Sequence, residues 1–283
     1  AEELVEGIHN QNISLLSKAI TLIESTLSSD QEIAQEVIEK CLPQSGNSIR
    51  IGITGVPGVG KSSFIDTFGS YLGNQGKRVA VLAIDPSSER SKGSILGDKT
   101  RMEQLTVNQN AFIRPSPSAG SLGGVAQKTR ESIILCEAAG FDVIIVETVG
   151  VGQSETAVHS MVDFFLLLML SGAGDELQGI KRGIMEMCDS IFINKADGDN
   201  INNATRAQAE YKNALHLFPP SPSGWTATSG TCSAHEGTGI DKVWETVSEY
   251  EQFTKANQYF NQRRQEQEVM RFYQHLEEEI KSR

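Results

Sequence analysis

One octapeptide constrains this chain more than any other stretch of it. Gly55-Val56-Pro57-Gly58-Val59-Gly60-Lys61-Ser62 fits the pattern G-x-x-x-x-G-K-[ST], with Ser63 following. An apolar run, residues 49–54, precedes it, and a helical stretch, residues 61–75, follows. A strand, a glycine-rich turn and a helix in that order are the context in which the pattern carries meaning. Glycines let the backbone wrap close enough for its N–H groups to hold phosphate oxygens. The start of the following helix adds favourable dipole charge. Lys61 is placed to reach β- and γ-phosphates, and the Ser62 hydroxyl to bind Mg²⁺. The chain is therefore expected to build an α/β fold around a nucleoside triphosphate.

The rest of the sequence alternates short apolar runs with helical stretches. Residues 49–54, 78–85, 111–114, 142–148, 164–170, 190–194 and 225–233 read as strands. Several are apolar on both faces, which suits a mostly parallel sheet covered by helices on each side. Helices are expected over 61–75, 122–139, 180–188 and 203–215. The fold class is a P-loop NTPase, α/β and doubly wound, with helical extensions at both ends. Residues 1–45 are the N-terminal extension, in which Ser29 or Asp30 is expected to cap a helix running to Cys41. Residues 46–239 are the nucleotide domain, and 240–283 a helical tail with no glycine. In that tail Val269, Phe272, Tyr273, Leu276 and Ile280 form one stripe, which suits either packing on its own domain or a dimerisation arm.

The base is named by a second motif. Asn194-Lys195-Ala196-Asp197 comes directly after an apolar strand. An aspartate carboxylate accepts hydrogen bonds from the N1–H and exocyclic amine of guanine. Adenine has an acceptor at N1 and no such amine, so it forfeits both bonds and leaves the carboxylate unpaired. Cys232-Ser233-Ala234, at the end of the last strand, fits a loop that supports the guanine.

Two acids sit at strand ends, where ligands of open α/β sheets bind. Asp85 ends the second strand and Glu147 ends the strongly apolar 142–148 strand. Both are candidate Mg²⁺ ligands, directly or through water, since Mg²⁺ favours hard oxygen donors. Asp98 lies in a glycine- and charge-rich loop, residues 92–101, which reads as a switch ordering around Mg²⁺ and γ-phosphate. A second such loop, residues 171–181, ends on Lys181. It is either a switch or a solvated turn capped by Asp175.

Composition removes several other classes. With 36 acidic against 25 basic residues, the formal charge is −11. Nucleic-acid or anionic-membrane binding needs a basic field instead. The longest apolar run is seven residues, 164–170, where a membrane span needs ~20. The start, Ala1-Glu2-Glu3-Leu4, reads neither as a signal nor as a transit peptide. The expected location is the bacterial cytoplasm, with the mature mitochondrial matrix as the alternative. Cys41, Cys136, Cys188 and Cys232 are widely spaced, and the five histidines show no ligand spacing.

Taken together, Gly55 to Ser63, Asp85-Pro86-Ser87-Ser88, residues 93–102, Phe112-Ile113-Arg114-Pro115-Ser116-Pro117, residues 147–155, residues 172–182 and Asn194 to Asp197 resemble one family. It is the MeaB/ArgK family of SIMIBI-class P-loop GTPases, which includes the methylmalonic aciduria type A protein. The resemblance spans nearly the whole chain. It implies a GTPase chaperone of methylmalonyl-CoA mutase, an adenosylcobalamin enzyme, which gates cofactor loading and protects the mutase. It implies slow GTP hydrolysis to GDP that the mutase stimulates, and a homodimer. It places Lys61, Asp85, Asp98 and Glu147 at the nucleotide–magnesium site, and makes residues 172–181 a switch toward the mutase. Glu89 and Ser171 depart from the usual residues beside the two loops, Ser171 standing where proline is common. Two other classes remain as alternatives: a nickel metallochaperone GTPase, which would need Cys/His ligands, and a transport-linked kinase, which would need a second substrate site.

Overall fold

The computed structural model describes residues 1–84, 102–115, 122–148, 154–172 and 181–282. Within these, seven strands form one sheet: β1 (Ile49–Gly55), β2 (Val79–Ile84), β3 (Ala111–Pro115), β4 (Val143–Thr148), β5 (Phe164–Met169), β6 (Ser190–Ile193) and β7 (Thr228–Thr231). Their order is β3-β2-β4-β1-β5-β6-β7, and every neighbouring pair is parallel. All six residues of β4 and all six of β5 are buried, as central strands covered on both faces must be.

β1 lies between β4 and β5. From β1 the chain crosses toward β2, and from β5 it crosses the opposite way, toward β6. Neighbouring strands with diverging connections leave a crevice beyond their C-terminal ends, and β1 delivers Gly55 to it. Gly52, mid-strand, is forced by packing. A Cβ there would sit 2.7 Å from the Phe165 ring and 2.9 Å from Val158, so only glycine lets the Ser154–His159 helix lie this close.

The N-terminal segment is three helices, Glu2–His9, Ile13–Glu24 and Ser28–Cys41, packed on the Leu122–Ala138 helix. Asn12 caps the second, accepting from the N–H groups of Ser14 (3.0 Å) and Leu15 (3.2 Å). The expected cap at Ser29 or Asp30 is not made. The helix begins at Ser28, and Asp30, inside its first turn, accepts from Ser25 Oγ at 2.6 Å. The last strand is shorter than the apolar run suggested. Trp225 is drawn out of line because its Nε1 donates to Asp189 O, and Ser233 turns back so that its N–H donates to Thr238 O.

The tail is two helices, Ile240–Ala256 and Tyr259–Ser282, broken at Gln258, whose φ is +66°. The first two turns of the second helix are bolted to the domain. Arg264 donates to both oxygens of Asp163 (2.8 and 2.7 Å) and to the carbonyls of Gly46 and Ser48 (2.6 Å each). Arg50 forms a two-pronged pair with Glu137, 2.9 Å at each prong, and Glu137 also accepts from Gly46 N and Ser48 Oγ. Burial by itself would raise the Asp163 pKa, but the Arg264 hydrogen bonds and charge hold it below the usual carboxylate range. Farther along, Val269, Phe272, Tyr273 and Leu276 are 45–63% exposed. These four positions of the stripe therefore are not packed on their own domain, and the Ile280 side chain lies outside the described residues.

Candidate functional site

The glycine-rich turn is held open by backbone geometry. Gly58 and Gly60 have φ of +78° and +88°, the left-handed region that side chains disfavour. A Cβ on Gly60 would also stand 3.2 Å from Asn194 Nδ2. The Lys61–Asn74 helix starts immediately after, and its first residue folds back so that Lys61 Nζ donates to Gly55 O at 3.0 Å. Burial lowers the Lys61 pKa, while the charges of Glu147 and Glu155 push it back up. Ser62 Oγ lies 3.4 Å from Glu147 Oε1, so the end of β4 and the start of this helix meet. The two form a patch of hard oxygen donors, the chemistry Mg²⁺ selects. Beside it, Thr148 Oγ1 and Thr54 Oγ1 are hydrogen-bonded at 2.8 Å, locking the ends of β4 and β1.

The second motif is brought onto the first. Asn194, 1% exposed, donates from Nδ2 to Val59 O at 2.8 Å and accepts at Oδ1 from Ala234 N at 3.1 Å. Both ends of its amide are thus engaged by protein, and it acts as a clamp between three loops. Lys195, at φ +59°, donates from Nζ to Gly58 O at 2.9 Å. Asp197 accepts a hydrogen bond from Ser233 Oγ through Oδ2, and Oδ1 has no protein partner among the described residues. Thr67 Oγ1 donates to Ala234 O at 2.7 Å, tying the last loop to the helix that follows the glycine turn.

So the structure brings together Gly55, Val56, Pro57, Gly58, Val59, Gly60, Lys61, Ser62 and Ser63 with Glu147, Asn194, Lys195, Asp197, Ser233 and Ala234. Asp85, Asp98 and Glu89 lie outside the described residues, as does the loop 173–180. Lys181 is the first residue of the Lys181–Met187 helix.

Three participants are not among the site residues read from the sequence. Glu155, 3% exposed, acts on the Lys61 charge. Thr67 holds the Ala234 loop. Asn200 accepts from Ser171 Oγ at 2.8 Å and donates to Lys195 O at 2.7 Å. That chain of bonds links the end of β5, where the sequence reading places a switch, to the Asn194–Asp197 loop. Ser171 thus has a role here that proline, lacking a hydroxyl, could not fill.

Comparison with known proteins gives a consistent result. A family model described as "Methylmalonyl Co-A mutase-associated GTPase MeaB" matches residues 16–283. A putative GTPase of Caulobacter vibrioides is 54% identical over 254 residues, covering 90% of this chain and 78% of that protein. The mitochondrial methylmalonic aciduria type A homolog of Mus musculus is 45% identical over 289 residues, covering 99% and 70%. Among solved structures, one described as an LAO/AO transport system kinase superposes with a TM-score of 0.85 at 40% identity, covering 99% of this chain and 84% of that one.

Proposed function

The chain belongs to the family of methylmalonyl Co-A mutase-associated GTPases, MeaB, and on that premise we propose that it binds and hydrolyses GTP with Mg²⁺ in the service of an adenosylcobalamin-dependent methylmalonyl-CoA mutase. In this reading it assists cofactor loading and protects that enzyme. The observation that carries the GTP part is the Asn194 clamp. It seats the base-reading loop on the carbonyl of Val59, inside the phosphate-holding turn.

The nucleotide phosphates lie against the N–H groups of residues 55–63. Lys61 releases Gly55 O and takes phosphate oxygens instead, and its burial strengthens that charge–charge contact. Ser62 and Glu147 hold Mg²⁺, with Asp85 and Asp98 as further ligands, and the ion when bound offsets charge on the phosphates. Asp197 reads guanine, using Oδ1 and the remaining lone pair of Oδ2, while Ser233 keeps the carboxylate oriented. No general base is evident in the motifs, so positioning and electrostatics carry the hydrolysis. Residues 46–239 form the GTPase domain in this scheme. Residues 1–45 and 240–283 are extensions, the latter a homodimerisation arm. The loop 172–181 is the switch toward the mutase, and the working compartment is the bacterial cytoplasm.

The experiment is steady-state hydrolysis of GTP and ATP with and without methylmalonyl-CoA mutase. GTP turnover that is slow alone and faster with the mutase is the expected result. Preference for ATP, or no response to the mutase, overturns the reading. Lys181→Ala should reduce the stimulated rate more than the basal one, and equal loss of both removes the switch role.

A further inference from the structure

A second cavity, of about 350 Å³, opens at the other end of the sheet. Asp189, which lines it, directly precedes β6, and its Oδ2 accepts from Phe165 N near the start of β5. These are the N-terminal ends of the strands, whereas Gly55 leaves the C-terminal end of β1. The cavity is therefore separate from the nucleotide site. Its volume falls within the range of small-molecule pockets, roughly 300–1,000 Å³.

One side of the wall is apolar, with Met187, Phe218, Pro219 and Trp225, and His216, Ser221, Thr226 and Tyr259 add polar groups. Three charged side chains also line the cavity: Glu186 is exposed and pairs with Arg182 at 3.6 Å, while Asp189 and Arg263 lie deeper and carry opposite charges. Asp189 is 6% exposed, and its Oδ1 has no protein partner among the described residues. Arg263 donates from Nε to Val162 O and from Nη2 to His159 O, both at 3.2 Å, and its Nη1 has no protein partner among the described residues. The two side chains feel each other's charge but form no ion pair. Leaving hydrogen-bonding capacity of a buried carboxylate and a half-buried guanidinium unmet is costly, and the spare capacity is complementary: one acceptor and one donor beside an apolar wall.

We infer that this cavity binds a small molecule with an apolar body and a head, neutral overall, that donates to Asp189 and accepts from Arg263. Two head groups have that chemistry, an α-amino acid zwitterion and a primary carboxamide. The inference is independent of the nucleotide reading.

The test is calorimetric titration of the whole chain with L-phenylalanine and with benzamide, alongside benzoate and benzylamine. The last two satisfy only one of the charges. Saturable binding of phenylalanine or benzamide is expected, and which of them binds tighter identifies the head group. Benzoate and benzylamine should bind at least about tenfold more weakly, because each leaves one charged partner unmet. Ala227→Phe, at a residue that lines the cavity, should fill it and abolish binding while thermal unfolding and GTP binding are retained. Met187→Trp fills it from another wall and serves if Ala227→Phe does not fold. No saturable binding of either ligand overturns the inference. So does equal binding of the one-charge analogues, or undiminished binding in a folded cavity-filling variant.

Discussion

Asn194 and Asp197 belong to one tetrapeptide but have separate work. The asparagine is consumed by protein contacts, to Val59 O and from Ala234 N, whereas the aspartate keeps one oxygen without a protein partner among the described residues. Asp197→Asn replaces an acceptor with a donor at the base edge. GTP affinity should fall by at least about tenfold, since a hydrogen bond to a charged group is worth ~1.5–3 kcal/mol. Xanthosine triphosphate, which presents an acceptor there, should gain. Competition binding with the two nucleotides reads this, and unchanged selectivity removes Asp197 from base reading. Burial lowers the His159 pKa from 6.5 to about 4, with Arg263 adding to the effect. The folded state then binds fewer protons than the unfolded one between those values. Its contribution is complete above pH 6.5 and is lost as pH falls through about 4. Asp189 runs the other way, its carboxyl raised by burial to about 6, so its contribution is lost as pH rises through about 6. In urea unfolding, the stability advantage of the native chain over His159→Gln should shrink as pH drops from 7 to 4. A difference independent of pH would contradict the buried neutral imidazole.

At the scale of elements, the strands follow from local patterning, and the helix ends do so less well. β4 and β5 are legible because a strand covered on both faces must be apolar throughout, and Val143–Val146 and Phe164–Met169 are. The N-terminal helices break at Gln11, whose φ is +61°, where helical periodicity alone reads through. The Tyr259–Ser282 helix owes its seat to Arg264. Removing that side chain leaves Asp163 without its main counter-charge and the carbonyls of Gly46 and Ser48 without their donor. Arg264→Ala should cost about 3–5 kcal/mol, the range for breaking a buried ion pair from one side. Arg264→Lys should recover only part of it, because an ammonium cannot reproduce the planar fork. Chemical denaturation of both variants decides this, and a loss near zero for Arg264→Ala would mean the helix is held by other contacts.

For the whole molecule, the outer half of that helix presents an apolar surface. Val269, Met270, Phe272, Tyr273 and Leu276 are all 45–63% exposed. An apolar stripe in water, on a helix clamped at its base, fits pairing with a second copy. Light scattering should give twice the 30.8 kDa chain mass for the native protein. The double variant Phe272→Glu with Tyr273→Glu should give the monomer mass, with GTP binding intact. A native monomer at micromolar concentration would refute the dimer.

The glycine turn, Lys61 and Ser62, the Asn194–Asp197 tetrapeptide, and the parallel α/β class are all legible in the sequence alone. Each depends on constraints that act over a few residues: positive φ, two-faced burial, and a hydrogen-bonding group at fixed spacing. Only the tertiary structure decided that Asn194 clamps a loop 135 positions earlier, and that Arg264 meets an acid 101 positions away. It also decided that Asp189 and Arg263 share a cavity. Those pairings depend on where the sheet's crossovers return the chain. Neither residue of such a pair carries any mark of the other in its own neighbourhood.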